Sequence, residues 1–208
     1  TSTSTSTSTS TSTSTSTSSD IPPCLVASLG HVQSAEPETT NRPRPMTRLL
    51  MVCTANICRS PMAQVVATHL ATQAGLASST QVDSAGTRAS WLSARPDARA
   101  SAALTERGYH VGRLRSRRVT EKDFARFDLI LAMDQSNLDD LRRICPTEHV
   151  HKLRLFLEFA PELGLREVPD PYYGGPQGFE HVLDLCEVAA RGLIEQIGQI
   201  GGGRTIRA

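Results

Sequence analysis

The sequence lacks the features that would assign this 208-residue chain to a membrane or nucleic-acid-binding class. No apolar run approaches the length of a transmembrane span, and no basic region followed by an apolar core marks a signal peptide. The formal net charge is +1, which indicates no strong electrostatic surface for nucleic acid or anionic lipid. We therefore expect a soluble chain with neither nucleic-acid nor membrane partners.

Cysteine is also scarce, and its spacing excludes a disulfide-rich secreted scaffold. A reducing cytoplasm is the default expectation, and a reactive thiol survives there as a thiol. Histidines 149 and 151 alternate, as on one side of a strand, but no Cys, Asp or Glu cluster accompanies them. We expect no metal and no cofactor. The five cysteines are Cys24, Cys53, Cys58, Cys145 and Cys186.

The N-terminal part of the chain is of low complexity. Residues 1–18 are nine repeats of Thr-Ser, and residues 19–45 continue without sustained periodicity. Such a composition buries too little apolar surface to offset the entropy of ordering. We predict a disordered tail over residues 1–45, one folded domain over 46–200 and a flexible C-terminus over 201–208.

From Met46 onward, apolar runs typical of strands alternate with segments of helical periodicity. This alternation predicts βαβ units and a parallel sheet, with ligands bound beyond the carboxyl ends of the strands. Ser60 is expected to cap the first helix, with Pro61 at its first position. The predicted strands cover residues 48–52, 81–84, 128–133 and 150–155. The predicted helices cover 60–75, 97–107, a short segment from 120, 135–144 and 177–200.

The loop after the first predicted strand carries a Cys-x5-Arg-Ser motif, CTANICRS, over residues 53–60. Five intervening residues can wrap once around a tetrahedral anion with their N–H groups pointing inward, and the helix that follows adds its positive end. This field would stabilise a thiolate on Cys53, Arg59 could hold two phosphate oxygens, and Ser60 could donate a hydrogen bond to the sulfur. Its position between a strand and a helix makes the motif a strong signal.

A second motif lies in the C-terminal half of the folded region. Asp170 stands between two prolines in the sequence VPDPYYGG, and the prolines stiffen its loop. Attack of a thiolate on phosphorus needs an acid to protonate the leaving oxygen, and Asp170 is the candidate. Tyr172 and Tyr173 could wall a cleft for a flat aromatic leaving group. Together the two motifs predict hydrolysis of aryl phosphate monoesters.

Four motifs occur in the order seen in low-molecular-weight protein tyrosine phosphatases, which the chain resembles over residues 47–198. They are VCTANICRSPMA at 52–63, DSAGT at 83–87, MDQSN at 133–137 and DPYYGG at 170–175. The resemblance implies an α/β fold, with a four-stranded parallel sheet in flavodoxin-like order flanked by helices. It also implies a metal-free phosphocysteine mechanism and phosphotyrosine-containing proteins as partners, including a tyrosine kinase or its substrates. We expect a monomer or weak dimer.

The resemblance also implies roles for individual residues. Cys53 would be the nucleophile, Arg59 the ligand of the phosphate and transition state, and Asp170 the general acid and then the base for water. Cys58 matches the second loop cysteine of the family, which forms a reversible disulfide with the nucleophile under oxidation. Trp91 aligns with an aromatic residue at the cleft rim, beside Tyr172 and Tyr173. The phosphate-binding and loop-supporting set would be Thr54, Ala55, Asn56, Ile57, Cys58, Ser60 and Ser84.

Three positions depart from the family pattern. Ala55 stands where the family usually has Gly, and it would be strained if the loop required a positive φ there. Gln64 replaces a Glu, with little effect expected. Leu114 falls where some members have a His that supports the loop, so that support would be missing or supplied otherwise.

Three alternative functions stay open at this point. An arsenate reductase on the same fold needs further resolving cysteines, and none occurs between Cys58 and Cys145. A phosphoarginine phosphatase tends to carry a small polar residue where this chain has Ile57. An inactive phosphate-binding module is opposed by the joint presence of Cys53, Arg59 and Asp170, and Ala55 alone argues for it.

Arginine is locally concentrated just before the third predicted strand, at Arg113, Arg115, Arg117 and Arg118. The favoured interpretation is an ordinary solvated face. The alternative is a rim that attracts anionic substrates.

Overall fold

The computed structural model describes residues 8–10, 45–89 and 93–200. Most of the predicted tail, the predicted flexible C-terminus and Trp91 lie outside these residues. Residues 8–10 and 45 are exposed and have no regular structure. Within the described ranges, no helix combines the length and apolar character needed to cross a membrane. The elements below all belong to the compact unit Arg42–Ala208.

Four parallel strands form one sheet in the order β2-β1-β3-β4, which confirms the predicted topology. Five α-helices connect and flank the strands, and three short 3-10 helices occupy Thr147–Lys152, Phe156–Phe159 and Pro161–Leu163. The strands are β1 (Thr47–Cys53), β2 (Thr80–Gly86), β3 (Leu129–Ala132) and β4 (Leu153–Leu155). The helices are α1 (Arg59–Gln73), α2 (Ala98–Glu106), α3 (Glu121–Arg126), α4 (Gln135–Ile144) and α5 (Pro176–Ile200).

The central strand β1 is buried on both faces, because helices cover the sheet on each side. Alternate side chains point to opposite faces of a strand, so Leu49 and Met51 join one core with residues of α1, α2 and α5. Leu50 and Val52 join the other core, which includes residues of α3 and α4. The apolar run that predicted β1 therefore serves two cores, and it holds Cys53 rigidly at the carboxyl edge.

The predicted strand over residues 150–155 is wrong in its first half. Residues 147–152 form a 3-10 helix, and the strand begins at Leu153, which pairs with Ile130. Val150 is 40% exposed, and the ammonium of Lys152 donates to two backbone carbonyls beside α3. The prediction that His149 and His151 share a strand face fails with it, because a 3-10 helix repeats every three residues.

Helix α5 packs closely against the 3-10 helix that follows β4, and Gly192 of α5 is the residue at the contact. A Cβ atom on Gly192 would come within 2.0 Å of the carbonyl oxygen of Phe159, which is backbone and cannot rotate away. A Cβ atom on Gly198, on the same helix, would make only an ordinary van der Waals contact, with a Leu76 methyl at 3.9 Å. The absence of a side chain at 192 therefore lets α5 approach the sheet layer closely.

We expect Gly192→Ala to lower the free energy of unfolding by about 1–3 kcal/mol through steric overlap with Phe159. The matched variant Gly198→Ala should leave stability unchanged or raise it by up to about 1 kcal/mol, because alanine favours the helix. Urea denaturation of both variants measures the difference. Equal stability of the two would show that α5 does not depend on close approach at residue 192.

Candidate active site

The Cys-x5-Arg segment forms the connection between β1 and α1. Cys53 is the last residue of β1, and α1 begins at Arg59 rather than at the predicted cap Ser60. Cys58 occupies the capping position without a side-chain cap, so the prediction of Ser60 as N-cap is wrong. The Ser60 hydroxyl instead contacts Cys53 and Asn56 of the loop.

The Cys53 thiol lies inside this loop and is 3% exposed. Its Sγ accepts a hydrogen bond from the backbone N–H of Asn56 at 3.3 Å. The Ser60 Oγ lies 3.1 Å from the same sulfur and 3.3 Å from the carbonyl oxygen of Ala85. The single hydroxyl proton of Ser60 can therefore turn toward the sulfur whenever the sulfur carries negative charge.

The Asn56 side chain holds the loop in shape from behind. Its Nδ2 donates to the hydroxyls of Ser60 and Ser84, both at 2.9 Å, and its Oδ1 accepts from the backbone N–H of Arg117 at 2.9 Å. Asn56 is 1% exposed, so this complete set of partners removes the cost of burying an amide. The structure thus brings Asn56, Ser60 and Ser84 together behind the loop.

Asn56, and not Ala55, carries the strained backbone of the loop. Asn56 has a φ of 57°, and it is the one non-glycine residue of the described chain with positive φ. Asparagine tolerates this left-handed conformation better than most residues. The strain considered for Ala55 is therefore absent.

The other two departures are also accommodated. Gln64 accepts from the Ser84 hydroxyl at 2.7 Å and donates to the carbonyl of Val82 at 3.2 Å, so it completes the hydrogen bonding of Ser84. Leu114 packs against the core, and the main chain of Arg117 provides a hydrogen bond to the loop through Asn56.

The guanidinium of Arg59 is held in place by three elements of the fold. Its Nη1 donates to Asp134 and to the carbonyl of Val168, at 3.1 Å for the latter. Its Nη2 faces the cleft and donates to Asp170 at 2.9 Å, with Thr54 Oγ1 at 3.4 Å. The Arg59 side chain is 3% exposed, so its position is set by these partners.

Asp134 contacts Arg59 in the site but is not among the site residues predicted from the sequence. It follows β3 and caps α4, where its Oδ1 accepts from the backbone N–H of Asn137 at 2.7 Å. The signal was available, since the residue stands between a predicted strand and a predicted helix within the MDQSN motif. An acidic residue at the carboxyl edge of a neighbouring strand was a candidate partner for Arg59.

Asp170 lies at the mouth of the site with its side chain 49% exposed. Its Oδ1 accepts from the backbone N–H of Tyr172 at 3.1 Å, and its Oδ2 contacts Arg59. The rings of Tyr172 and Tyr173 stand edge to face, with centroids 5.1 Å apart. Tyr173 is 96% exposed and Tyr172 44%, so they form an open rim rather than a closed wall.

The loop, the arginine and the aspartate line one cleft of about 270 Å³. Its buried thiol and guanidinium and its exposed aromatic rim suit a planar group that carries an anion at its end. Of the predicted set, Trp91 lies outside the described residues. The cleft is lined by Cys53, Thr54, Ala55, Ile57, Cys58, Arg59, Asp170, Tyr172 and Tyr173.

Cys58, the second cysteine of the loop, has a raised pKa and so does not resemble a reactive thiolate. Burial, followed by the negative charge of Asp97 and the nearby Cys53 and Asp170, raises the pKa of Cys58 to about 12. Cys58 is therefore a neutral thiol near pH 7. Both loop cysteines are free thiols in the structure.

The arrangement combines a buried thiol, a fixed cation and a half-exposed carboxylate around one small cleft. No group of three or more His, Cys, Asp or Glu side chains in the described ranges could hold a metal ion. The chemistry available from these residues is nucleophilic attack on an anion held by Arg59, with proton transfer by Asp170.

Comparison with known proteins identifies close relatives. The family model described as low molecular weight phosphotyrosine protein phosphatase matches residues 48–200. A relative from Synechocystis, named as a low molecular weight protein-tyrosine-phosphatase, is 44% identical over 73% of this chain and 97% of its own length. The human low molecular weight phosphotyrosine protein phosphatase is 36% identical over 71% of this chain and 94% of its own. A crystal structure of a low molecular weight phosphotyrosine phosphatase from Vibrio cholerae is 41% identical, with a TM-score of 0.71, and covers 74% of this chain and 99% of that one.

Proposed function

Because the chain belongs to the low molecular weight phosphotyrosine protein phosphatase family, we propose that Cys53 is the nucleophile with which this tyrosine phosphatase hydrolyses phosphotyrosine. The observation that carries the assignment is the convergence of Cys53, Arg59 and Asp170 on one cleft. The protein is a phosphoric monoester hydrolase, and the roles of its individual residues are inferred from the geometry of the site.

In the first step, the substrate phosphate replaces Asp170 as the partner of the Arg59 Nη2 atom. Backbone N–H groups of the loop bind the remaining phosphate oxygens. The Cys53 thiolate attacks phosphorus, a sulfur–phosphorus bond forms and the bond from phosphorus to the phenolic oxygen breaks. Asp170, released from Arg59, takes up a proton from solvent and transfers it to the leaving oxygen.

In the second step, Asp170 acts as a base for water. It takes a proton from a water molecule that attacks phosphorus, and the sulfur–phosphorus bond breaks to release inorganic phosphate. Ser60 supports the departing thiolate, because its hydroxyl lies 3.1 Å from the Cys53 sulfur and can point its proton there. Asn56 keeps this hydroxyl in place by donating to it, and Ser84 in turn accepts a hydrogen bond from Asn56.

The alternatives lose their support at this site. An inactive module was supported only by the strain expected at Ala55. Ala55 does not have a positive φ, because the residue with that conformation is Asn56. Ile57, Tyr172 and Tyr173 line the cleft with apolar surface that favours an aromatic ester over phosphoarginine. An arsenate reductase would need resolving cysteines that the sequence does not carry in mid-chain.

We expect Asp170→Asn to slow phosphotyrosine hydrolysis by roughly 10²–10⁴-fold, since the amide cannot protonate the leaving oxygen. The loss should be smaller for p-nitrophenyl phosphate, because its leaving group is a weaker base and needs less help from an acid. Steady-state kinetics with both substrates measures the two losses. A loss of equal size for both would remove Asp170 from the role of general acid.

Two variants provide the controls for this experiment. Cys53→Ser should abolish turnover of both substrates while the thermal transition persists, and normal activity would contradict the phosphocysteine mechanism. Asp139→Asn changes an exposed carboxylate on α4 and should leave the rates of both substrates unchanged.

We propose that Asp134 orients Arg59. Asp134→Asn keeps the cap of α4 but places an amide donor against the guanidinium, so kcat should fall by roughly 10- to 100-fold while KM changes little. Asp134→Glu retains the carboxylate and should recover part of the rate. An unchanged kcat in Asp134→Asn would show that Val168 and the loop hold Arg59 without Asp134.

We further propose that Cys58 protects the nucleophile from irreversible oxidation in a reducing cytoplasm. Peroxide oxidises the Cys53 thiolate to a sulfenic acid, and attack by the Cys58 sulfur forms the disulfide and releases water. Recovery of activity with dithiothreitol after peroxide should be faster and more complete in the wild type than in Cys58→Ser. Equal recovery in the two proteins would rule out a protective disulfide.

A further inference from the structure

A second groove, of about 750 Å³, lies on the side of the molecule formed by α2 and the segment that follows it. Three arginines line it, namely Arg95, Arg113 and Arg115, and no carboxylate is among its lining residues. All three arginines are exposed. Val111 and Leu114 also line the groove, so its surface offers both positive charge and apolar side chains.

The groove adjoins the catalytic cleft through the short segment before α2. Arg95 and Pro96 line the groove, and the next residue, Asp97, donates its backbone N–H to the carbonyl of Ile57 at 2.8 Å. Ile57 lines the catalytic cleft. A single stretch of chain therefore forms part of the groove and supports the wall of the cleft.

The two sides of the groove are connected by hydrogen bonds. Ser116 donates its backbone N–H to the carbonyl of Ala94 at 2.9 Å, and its hydroxyl accepts from the backbone N–H of Ala94 at 2.9 Å. The next residue, Arg117, is tied to the catalytic loop through Asn56. The arginines are thus mounted on backbone whose position relative to Cys53 is set by the fold.

Arg117 differs in its partners from Arg113 and Arg115. Arg117 is paired with Asp83 and Asp123 at 2.9 and 3.0 Å, so its charge is used within the fold. Arg113 and Arg115, together with Arg95, make no ion pair with any described residue. The three residues next to this region that the structure does not describe, 90–92, are Ser, Trp and Leu and carry no charge.

We propose that this groove binds an acidic segment of the substrate protein, next to the phosphotyrosine that enters the catalytic cleft. The inference rests on the proposed function, because the occupant is defined as the chain that continues from the bound tyrosine. A peptide is favoured over nucleic acid, since the adjoining cleft takes a tyrosine side chain and the same polypeptide must leave it along the surface. Exposed arginines attract such a segment and raise the rate of productive encounter.

Four phosphotyrosine peptides test the proposal, with three Glu or three Gln residues on either the N-terminal or the C-terminal side. In low salt, kcat/KM for at least one Glu peptide should exceed that of its Gln counterpart by about 3- to 30-fold, as expected for a few exposed ion pairs. The preference should disappear in the variant R95Q/R113Q/R115Q. It should also shrink strongly in wild type at about 0.5 M salt, where surface charges are screened.

The matched control is R126Q/R142Q/R191Q, which removes the same charge from exposed arginines that line neither the groove nor the cleft. It should keep the preference for Glu peptides. Equal rates for Glu and Gln peptides in wild type would overturn the groove proposal, as would equal loss of preference in both triple variants.

Hydrolysis of p-nitrophenyl phosphate distinguishes failure of the groove proposal from failure of the proposed phosphatase function. This substrate has no flanking peptide, so wild type and both triple variants should turn it over equally. If wild type hydrolyses p-nitrophenyl phosphate but shows no preference among the peptides, the groove proposal is refuted and the proposed phosphatase function stands. Failure of wild type to hydrolyse p-nitrophenyl phosphate or any of the peptides would overturn the proposed function, and this inference with it.

Discussion

The hydrogen bonds of Asn56 are the interaction on which the catalytic site depends. A loop that points its N–H groups toward an anion cannot use them in a helix or sheet, so other contacts must hold its shape. Asn56 supplies these contacts at a backbone conformation that few residues accept, and it links Ser60, Ser84 and the chain at Arg117. The loop therefore receives support from α1, β2 and the segment before α3 through one side chain.

The charges of the cleft follow from a second constraint, the burial of Arg59. A nearly buried guanidinium needs partners for its donors, and these come from the catalytic loop, from the end of β3 and from the loop of residues 168–170. Asp134 at the end of β3 and the carbonyl of Val168 occupy one side of the guanidinium. The remaining donor contacts Asp170, and in the proposed mechanism the substrate phosphate replaces Asp170 there. Arg59, the proposed phosphate ligand, and Asp170, the proposed general acid, thus contact each other in the structure.

Much of the fold could be predicted from the sequence because local signals agreed with one another. Strand β1 is a continuous apolar run, α4 has its cap and its amphipathic spacing, and the predicted bounds of α4 match the structure. The strand predicted from residue 150 failed where the alternation of polar and apolar residues resembled a strand by chance. Burial begins only at Leu153, and Lys152 uses its ammonium to satisfy carbonyls near α3. Such distant partners leave no mark in the local pattern.

The sequence by itself determined the reactive groups of this protein and the edge of the sheet where they meet. Motif spacing places a thiol, an arginine and a serine on one loop, and βαβ order places that loop at the carboxyl ends of the strands. Tertiary structure alone decided which partners those groups have. Arg59 pairs with Asp134, and the positive φ of the loop lies at Asn56 rather than at Ala55. Tertiary structure also paired Arg117 with two carboxylates and placed Arg113 and Arg115 along a groove. The physical reason is that hydrogen bonds and ion pairs depend on distance in space, and residues far apart in sequence reach that distance only when the chain has folded.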